Sequence, residues 1–270
     1  MKRVHEEASW PESWRSVYNY DLQEVYGEIT NLGYAYAYAN RLAETLKLVK
    51  EVLPIGSCIL DIAAAQGNFS LLLAEAGYRV TWNDLREELA AYVALKHEWG
   101  EITYAPGNVF DLGYRDEFDL VLITEIIEHV AHPDQFLLKV SAMIKPNGYI
   151  VMSTPNGAYF RNRLPKFSEC KDPTVYESVQ FKPNSDGHIF LLHPKEICDL
   201  AKASNLCIDE LRLFTTPLTN GHMKLELLLR LLPRKFVCYV ERISRFLPKM
   251  LAKRVLIQIG ARLVRASHTE

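Results

Sequence analysis

Several features that define other protein classes are missing from this sequence of 270 residues. No stretch reaches the roughly 18 uncharged apolar residues that a membrane-spanning helix needs, and the first residues lack the apolar core of a secretion signal. The five cysteines form no C-x-x-C pair, and their odd number argues against a disulfide framework or a zinc site. These absences predict a cytoplasmic protein with reduced thiols.

The glycine fingerprint of dinucleotide-binding proteins is also absent. It needs small residues at the first, third and sixth positions of its loop, and the polar Asn68 stands at the third of these. The loop follows an apolar run at 58–62, typical of a buried parallel strand, and precedes a predicted helix at 69–76. Its small or acidic residues alternate with others, and they are Asp61, Ala63, Ala65 and Gly67. Since alanine adopts positive φ only at a cost, either the turn does not need that conformation at its alanines or the loop has a different shape.

The alternating pattern resembles the first motif of class I S-adenosylmethionine-dependent methyltransferases, although two alanines replace two of that family's usual glycines. Asp84, which ends the next predicted strand at 78–83, corresponds to the family's ribose-binding acid. The resemblance covers about residues 55–213. It implies S-adenosylmethionine as cofactor and an α/β fold with a doubly wound, mostly parallel Rossmann-like sheet between helical N- and C-terminal flanks. It also implies cofactor contacts from Asp61, Ala63, Ala65, Gly67, Asp84, Leu85, Asn108, Val109 and Thr124.

Asn108 stands where this family usually has an aspartate that binds the adenine amino group. An amide oxygen can accept the same hydrogen bond. The substitution is therefore compatible with cofactor binding.

The segment after the predicted fourth strand carries candidate catalytic residues. If a helix begins there, Glu125, Glu128 and His129 share one face, and His188 is a candidate fourth ligand for a divalent cation. This pattern resembles the metal motif of small-RNA 3′-end 2′-O-methyltransferases and of ubiquinone-pathway O-methyltransferases, which implies Mg²⁺ or Mn²⁺. Two alternatives stay open: His129 or His188 acts as a general base without a metal, or the residues only cap and pack a helix.

Three parts of the chain are distinguished. They are an N-terminal helical and aromatic cap at residues 1–54, the cofactor-binding domain at 55–213 and a tail at 214–270. Within the domain, residues 155–187 are rich in proline and aromatic residues, and this insertion is expected to cover the acceptor pocket.

The cap should contain a helix from Asn31. In many small-molecule methyltransferases such a helix lies over the cofactor. The polar and aromatic residues of this helix therefore either contact the methionine end of S-adenosylmethionine or only pack against other side chains, and they are Tyr34, Tyr38 and Arg41.

Charge is divided unevenly along the chain. Residues 221–270 hold eleven Lys/Arg and three Asp/Glu, whereas the whole chain has a net charge of −2. The tail reads as two or three basic amphipathic helices interrupted at Pro233 and Pro248, and no seventh strand is recognisable. Its predicted apolar stripe is Leu225, Leu228, Leu229, Leu232, Phe236, Val240, Ile243 and Leu247. Such helices pack on the core, form a homodimer, or lie on an anionic membrane surface as a peripheral contact.

The pattern as a whole predicts an enzyme that transfers a methyl group from S-adenosylmethionine to an oxygen of a small molecule. A sugar or natural product ranks first as acceptor, a lipid or quinone precursor second, and an RNA 3′ end third. The acidic body lacks the basic groove that a phosphate backbone requires, which argues against nucleic acid. A non-catalytic nucleotide-binding or scaffold protein is the alternative from another class.

Overall fold

A seven-stranded sheet forms the centre of the structure, a computed structural model that describes residues 1–180, 187–219 and 225–265. The strands are β1 (Cys58–Ile62), β2 (Arg79–Trp82), β3 (Glu101–Tyr104), β4 (Phe118–Thr124), β5 (Ile144–Pro155), β6 (Leu206–Phe214) and β7 (Gln258–Arg265). Their order is β3-β2-β1-β4-β5-β7-β6. The first five pair in parallel, and β7 is antiparallel to both β5 and β6. The predicted doubly wound, mostly parallel fold is confirmed.

Helices cover both faces of this sheet. They are α1 (Glu12–Glu24), α2 (Leu32–Lys50), α3 (Asn68–Glu75), α4 (Leu89–Lys96), α5 (Pro133–Ser141), α6 (Pro194–Ala203), α7 (Glu226–Leu231), α8 (Arg234–Ser244) and α9 (Lys249–Val255). Alternate residues of β4 enter different apolar clusters, with Val121 on one face and Leu120 on the other. A strand buried on both faces needs a continuous apolar run, which is why the sequence pattern located β4 correctly.

The antiparallel strand β7 corrects the prediction for the tail. The tail was expected to be helical throughout, with no seventh strand, yet β7 lies between β5 and β6 and is mostly buried. Polar and small residues interrupt its apolar pattern. Arg262 is buried there because its guanidinium donates to the backbone carbonyl of Leu48 and pairs with Glu51 and Asp209. The sheet thus extends beyond residue 213, the predicted end of the cofactor-binding domain.

A buried polar cluster joins the N-terminal cap to the loop after β1. The ammonium of Lys96 is fully buried and donates to Asp21 Oδ2 at 2.5 Å, to Asn68 Oδ1 at 2.7 Å and to the Gln66 carbonyl at 2.9 Å. Burial lowers the pKa of Lys96, and the carboxylate of Asp21 opposes that change. These bonds link α1 and α4 to the loop after β1. They hold the N-terminal cap against the loop that carries the predicted cofactor-binding motif.

Candidate cofactor and acceptor site

The loop between β1 and α3 adopts an unusual backbone conformation. Ala63 and Ala65 have φ values of 51° and 47°, and Gly67 has 71°. All three therefore lie in the left-handed region, which disfavours residues with a Cβ atom. The first of the two possibilities that the sequence left open, a turn without positive φ at its alanines, is therefore wrong. Strain of this kind concentrates at ligand sites.

Asp84 lies at the end of β2, beside this loop, as predicted. Its carboxylate is buried and accepts a hydrogen bond from the Ala65 backbone N–H at 2.8 Å. Arg86, which sequence reasoning missed, donates to the same carboxylate through its backbone N–H at 2.9 Å and its Nε at 3.0 Å. Asp84 is therefore already held by protein donors; in the described structure it lines neither of the two cavities described below, so its predicted ribose contact stays a prediction.

Asp61 is buried and supports the loop through α3. The Ser70 hydroxyl donates to Asp61 Oδ2 at 2.6 Å, whereas Oδ1 has no hydrogen-bond partner within the described residues. Burial raises the pKa of Asp61 to about 7, and the charge of Asp84 acts in the same direction. In the described structure Asp61 and Gly67 line neither of the two cavities described below, so their predicted cofactor contacts stay predictions.

An apolar cavity of about 340 Å³ lies on one side of Ala63. Its walls include three residues implicated by sequence: Leu85, Asn108 and Val109. Asn108 caps a short 3₁₀ turn, since its Oδ1 accepts from the Phe110 backbone N–H at 3.2 Å. The size and apolar walls suit a flat aromatic ring such as adenine.

A second, polar cavity of about 570 Å³ lies on the other side of Ala63. Besides Ala63, it includes six residues implicated by sequence: Tyr34, Tyr38, Arg41, Ala65, Thr124 and Glu125. Two residues that also line it were missed: Glu24, because the aromatic first 30 residues gave no readable pattern, and Gln66, because it stands between the alternating positions of the loop motif. Since both cavities share Ala63, the loop separates an apolar compartment from a charged one.

Arg41 is the principal cation of the polar cavity. Its Nη1 lies 3.3 Å from Glu125 Oε2, its guanidinium lies over the Tyr38 ring at 5.3 Å, and its Nε has no partner among the described residues. Although burial would lower the pKa of Arg41, the carboxylates of Glu125 and Glu24 raise it. Arg41 therefore stays charged and retains a free donor.

The predicted helical face after β4 is wrong. The segment forms only a 3₁₀ turn, Ile127–His129, and Glu125 has a left-handed φ of 52°. Glu125 consequently turns toward Arg41 and accepts from the Ser153 hydroxyl at 2.9 Å and from Gln258 Nε2 at 3.3 Å. Gln258 belongs to β7, the strand that the sequence did not reveal, so this environment was not predictable.

The other three candidate ligands do converge. Ligand atoms of Glu128, His129 and His188 all lie within 4.8 Å of one another, and the two imidazole rings are 4.9 Å apart. Glu128 is fully buried, and its Oε2 accepts from the Thr154 hydroxyl at 3.0 Å. Its Oε1 has no partner in the described structure. Burial and the nearby charge of Glu125 raise the pKa of Glu128 well above its usual range.

The described part of the insertion packs beside this cluster. The Ala131 backbone N–H donates to Gln180 Oε1 at 2.9 Å, and His129 Nδ1 lies 3.1 Å from the Gly187 carbonyl oxygen. Residues 181–186 of the predicted insertion lie outside the described residues. Gln180 and Gly187, both in the C-terminal part of the insertion, therefore lie next to the segment after β4.

Comparisons with known proteins identify the family and the fold of this chain. A family model described as a methyltransferase domain matches residues 34–211. The chain is 31% identical to the ubiquinone biosynthesis O-methyltransferase of Shewanella pealeana over 61% of this chain and 70% of that protein. It is 28% identical to the protein of that name from Rickettsia canadensis, over 62% and 70% respectively.

Among solved structures, an S-adenosylmethionine-dependent methyltransferase from Mesorhizobium loti shares the fold, with a TM-score of 0.54 and 19% identity over 83% of this chain and 98% of that one. The chain therefore belongs to the methyltransferase domain family and is an S-adenosylmethionine-dependent methyltransferase.

Proposed function

We propose that this enzyme methylates a hydroxyl oxygen of a small molecule of the quinone-precursor class. The observation that carries the proposal is an arrangement at the end of β5. Its adjacent residues Ser153 and Thr154 donate to Glu125 in the polar cavity and to Glu128 in the His129–His188 cluster, respectively. The two carboxylates and the neighbouring imidazoles, which are able to accept or donate a proton, are thereby held beside the polar cavity.

The cofactor fits the two compartments in one orientation. Its adenine would occupy the apolar cavity, its ribose hydroxyls would reach Asp84, and its methionine carboxylate would bind Arg41, whose Nε is free within the described structure. This orientation directs the sulfonium methyl group past Ala63 toward the polar cavity. The small side chains of the loop leave room for the cofactor to approach the backbone.

The sulfonium already activates the methyl group, so the protein has two tasks: in-line positioning and removal of the acceptor proton. His129 and His188 are the candidate bases, because an imidazole titrates near neutral pH. Glu128, whose pKa is raised by burial, would serve as a protonated hydrogen-bond donor or as a partner for an imidazolium. Methyl transfer to the oxygen would then release S-adenosylhomocysteine and the acceptor proton.

A metal ion is the alternative way to acidify the acceptor. The unpartnered Oε1 of the buried Glu128, together with His129 and His188, fits three positions of a coordination sphere. Without Glu125 the donors are one oxygen and two nitrogens, a set that suits Mn²⁺ or another first-row transition metal better than Mg²⁺. Water or the acceptor hydroxyl would complete the sphere.

The charge distribution and the relatives support the proposed substrate class. A sequence with a net charge of −2, and with its surplus of cations in the tail, offers no basic groove for an RNA backbone. The relatives named for ubiquinone biosynthesis O-methylation share 28–31% identity with this chain, and this moves the quinone precursor above the sugar or natural product in rank.

The test is methyl transfer from radiolabelled S-adenosylmethionine to a panel of dihydroxybenzoate quinone precursors, with a sugar and an RNA oligonucleotide as competing acceptors. We expect label on a phenolic oxygen, and much less label with the Asp84→Ala variant at a cofactor concentration below saturation. Label on the RNA 3′ end would contradict the proposed acceptor, and cofactor binding without transfer to any acceptor would contradict the proposed activity.

A chelator separates the two routes of proton removal. If a metal acidifies the acceptor, EDTA should abolish transfer, and Mn²⁺ should restore it better than Mg²⁺. If an imidazole acts alone, transfer should survive EDTA and fall in the His129→Ala or His188→Ala variant. Activity that survives both treatments would exclude both routes.

A further inference from the structure

Helices α7–α9 leave large apolar side chains in solvent. Nine of the 21 large apolar side chains that are exposed in the described residues lie between 227 and 251. Four are at least three-quarters exposed: Leu227 and Leu231 at 75%, Phe246 at 84% and Met250 at 86%. We call this the tail surface, and its principal members are Leu227, Leu231, Phe236, Tyr239, Phe246 and Met250. A patch this concentrated on a water-soluble surface marks an interaction site.

The opposite sides of these helices are anchored to the body of the protein. Leu229, Val237 and Ala252 are buried. Glu241 is also buried and accepts hydrogen bonds from the Thr216 backbone N–H at 3.0 Å and from the Thr219 hydroxyl at 2.6 Å. The orientation of α8 is therefore fixed, and the part of the predicted stripe that stays exposed, including Phe236 and Ile243, cannot turn inward.

Cations surround the tail surface. Of the eight Lys/Arg between 226 and 255, two are neutralised, because Arg230 pairs with Glu226 and Arg245 pairs with Glu44. The other six form no ion pair with any described residue, and they are Arg234, Lys235, Arg242, Lys249, Lys253 and Arg254. Short helices with exposed aromatic and aliphatic side chains among unpaired cations have the composition of segments that lie in a membrane interface.

We propose that the tail surface docks this enzyme onto an anionic lipid bilayer. Charge complementarity favours this occupant over a second copy of the chain, since a symmetric dimer would bring the same unpaired cations of both copies together. No helix among the described residues is long and apolar enough to cross a membrane. The proposed contact is with the bilayer surface. The proposal does not depend on which acceptor is methylated.

The surface also adjoins the site. Asn156, directly after β5, donates from Nδ2 to the backbone carbonyls of Lys253 and Leu256 at 2.8 and 2.7 Å. The Phe160 backbone N–H donates to the Arg254 carbonyl at 3.0 Å. The end of α9 is therefore fixed to the segment that follows Ser153 and Thr154, so docking would hold this edge of the site near the lipid.

Vesicle co-sedimentation of the full-length protein tests the proposal. We expect binding to phosphatidylcholine vesicles that contain phosphatidylglycerol and little binding to pure phosphatidylcholine. Binding should weaken steeply with salt, because screening shortens the reach of the charges from about 10 Å at 0.1 M to about 3 Å at 1 M. Failure to bind either vesicle, or equal binding to both, would overturn the proposal.

Two sets of variants separate the charged and apolar contributions. Arg234→Ser with Lys235→Ser should lower the partition onto anionic vesicles roughly 25-fold, at about 1 kcal/mol for each cation. The matched control is Lys50→Ser with Arg115→Ser, which changes two exposed cations elsewhere and should leave binding unchanged.

The triple change Leu231→Ser, Phe246→Ser and Met250→Ser should reduce binding on the order of 100-fold or more. Its control changes Ile55, Trp99 and Val175 to Ser, side chains of comparable exposure at 68%, 57% and 65%. Light scattering without lipid completes the test. A dimer that the tail-surface triple variant dissociates would overturn membrane docking in favour of self-association, and a monomer supports docking.

Discussion

The backbone N–H of Ala65 donates a hydrogen bond to Asp84 Oδ2 at 2.8 Å, and this bond connects the strained loop after β1 to the end of β2. The same carboxylate is the predicted acceptor for the ribose of the cofactor. Asp84 therefore holds the loop through this bond in the absence of a cofactor, and the same side chain is predicted to bind the ribose.

Removing this carboxylate should weaken cofactor binding. We expect Asp84→Ala to reduce the affinity for S-adenosylhomocysteine by about 1.5–3 kcal/mol, because a charge-assisted acceptor is lost. Calorimetry measures the change, with Glu101→Ala, an exposed carboxylate on β3, as control. Unchanged affinity in Asp84→Ala would contradict the assignment of the ribose site.

Arg41 should act on the opposite end of the cofactor. Arg41→Met should weaken S-adenosylhomocysteine by about 1.5–3 kcal/mol, because the methionine carboxylate loses its cation. The same variant should bind methylthioadenosine as the wild type does, since that molecule has no carboxylate. Asp84→Ala should weaken both ligands, so the two variants distinguish the two ends. Equal loss of both ligands in Arg41→Met would show a general disturbance of the pocket.

The two alanines of the loop store conformational strain. Ala63→Gly or Ala65→Gly should stabilise the protein by about 0.5–1 kcal/mol, because relief of a left-handed alanine, about 1–2 kcal/mol, exceeds the entropy cost of glycine. Urea unfolding measures this. Ala91→Gly, at an exposed site within α4, should instead destabilise by roughly 0.5–1 kcal/mol.

Gly67 provides the opposite control within the same loop. It has a φ of 71°, and an added Cβ would lie 2.7 Å from Val93 Cγ1. Gly67→Ala should therefore destabilise by roughly 2 kcal/mol or more, through strain and steric overlap. If all three loop substitutions changed stability in the same direction, the strain interpretation would be wrong.

Asp61 should make stability depend on pH. Its pKa is raised to about 7 in the folded protein from 3.8, so the folded state binds the proton more tightly than the unfolded state. The free energy contributed by this group is therefore largest at low pH and is lost as pH rises from about 4 to about 7. Asp61→Asn, which keeps an acceptor for Ser70, should remove that loss and stabilise the protein at pH 8 by roughly 2–4 kcal/mol.

Melting temperatures of wild type and Asp61→Asn across this pH range check the prediction. The difference between the two proteins isolates Asp61 from the other titrating groups, because those are shared. A difference that does not change between pH 4 and pH 8 would show that Asp61 is already ionised throughout.

The sequence by itself determined the parallel half of the fold. Apolar runs such as the central residues 120–123 of β4 can be recognised in the sequence, because a segment buried on both faces of the sheet must be apolar at successive positions. The position of Asp84 was likewise fixed by local spacing, since a strand, a turn and a helix of ordinary length separate it from the loop.

Tertiary structure decided the rest, because it depends on contacts between distant residues. β7 became a strand only through its pairing with β5 and β6, and Arg262 is tolerated there because Glu51 and Asp209 neutralise it. That strand brings Gln258 Nε2 to 3.3 Å from Glu125, whose carboxylate also pairs with Arg41 and is not among the three ligands that converge. Helical spacing had predicted Glu125, Glu128 and His129 on one face, but a left-handed residue at the end of β4 breaks the periodicity on which that prediction depended.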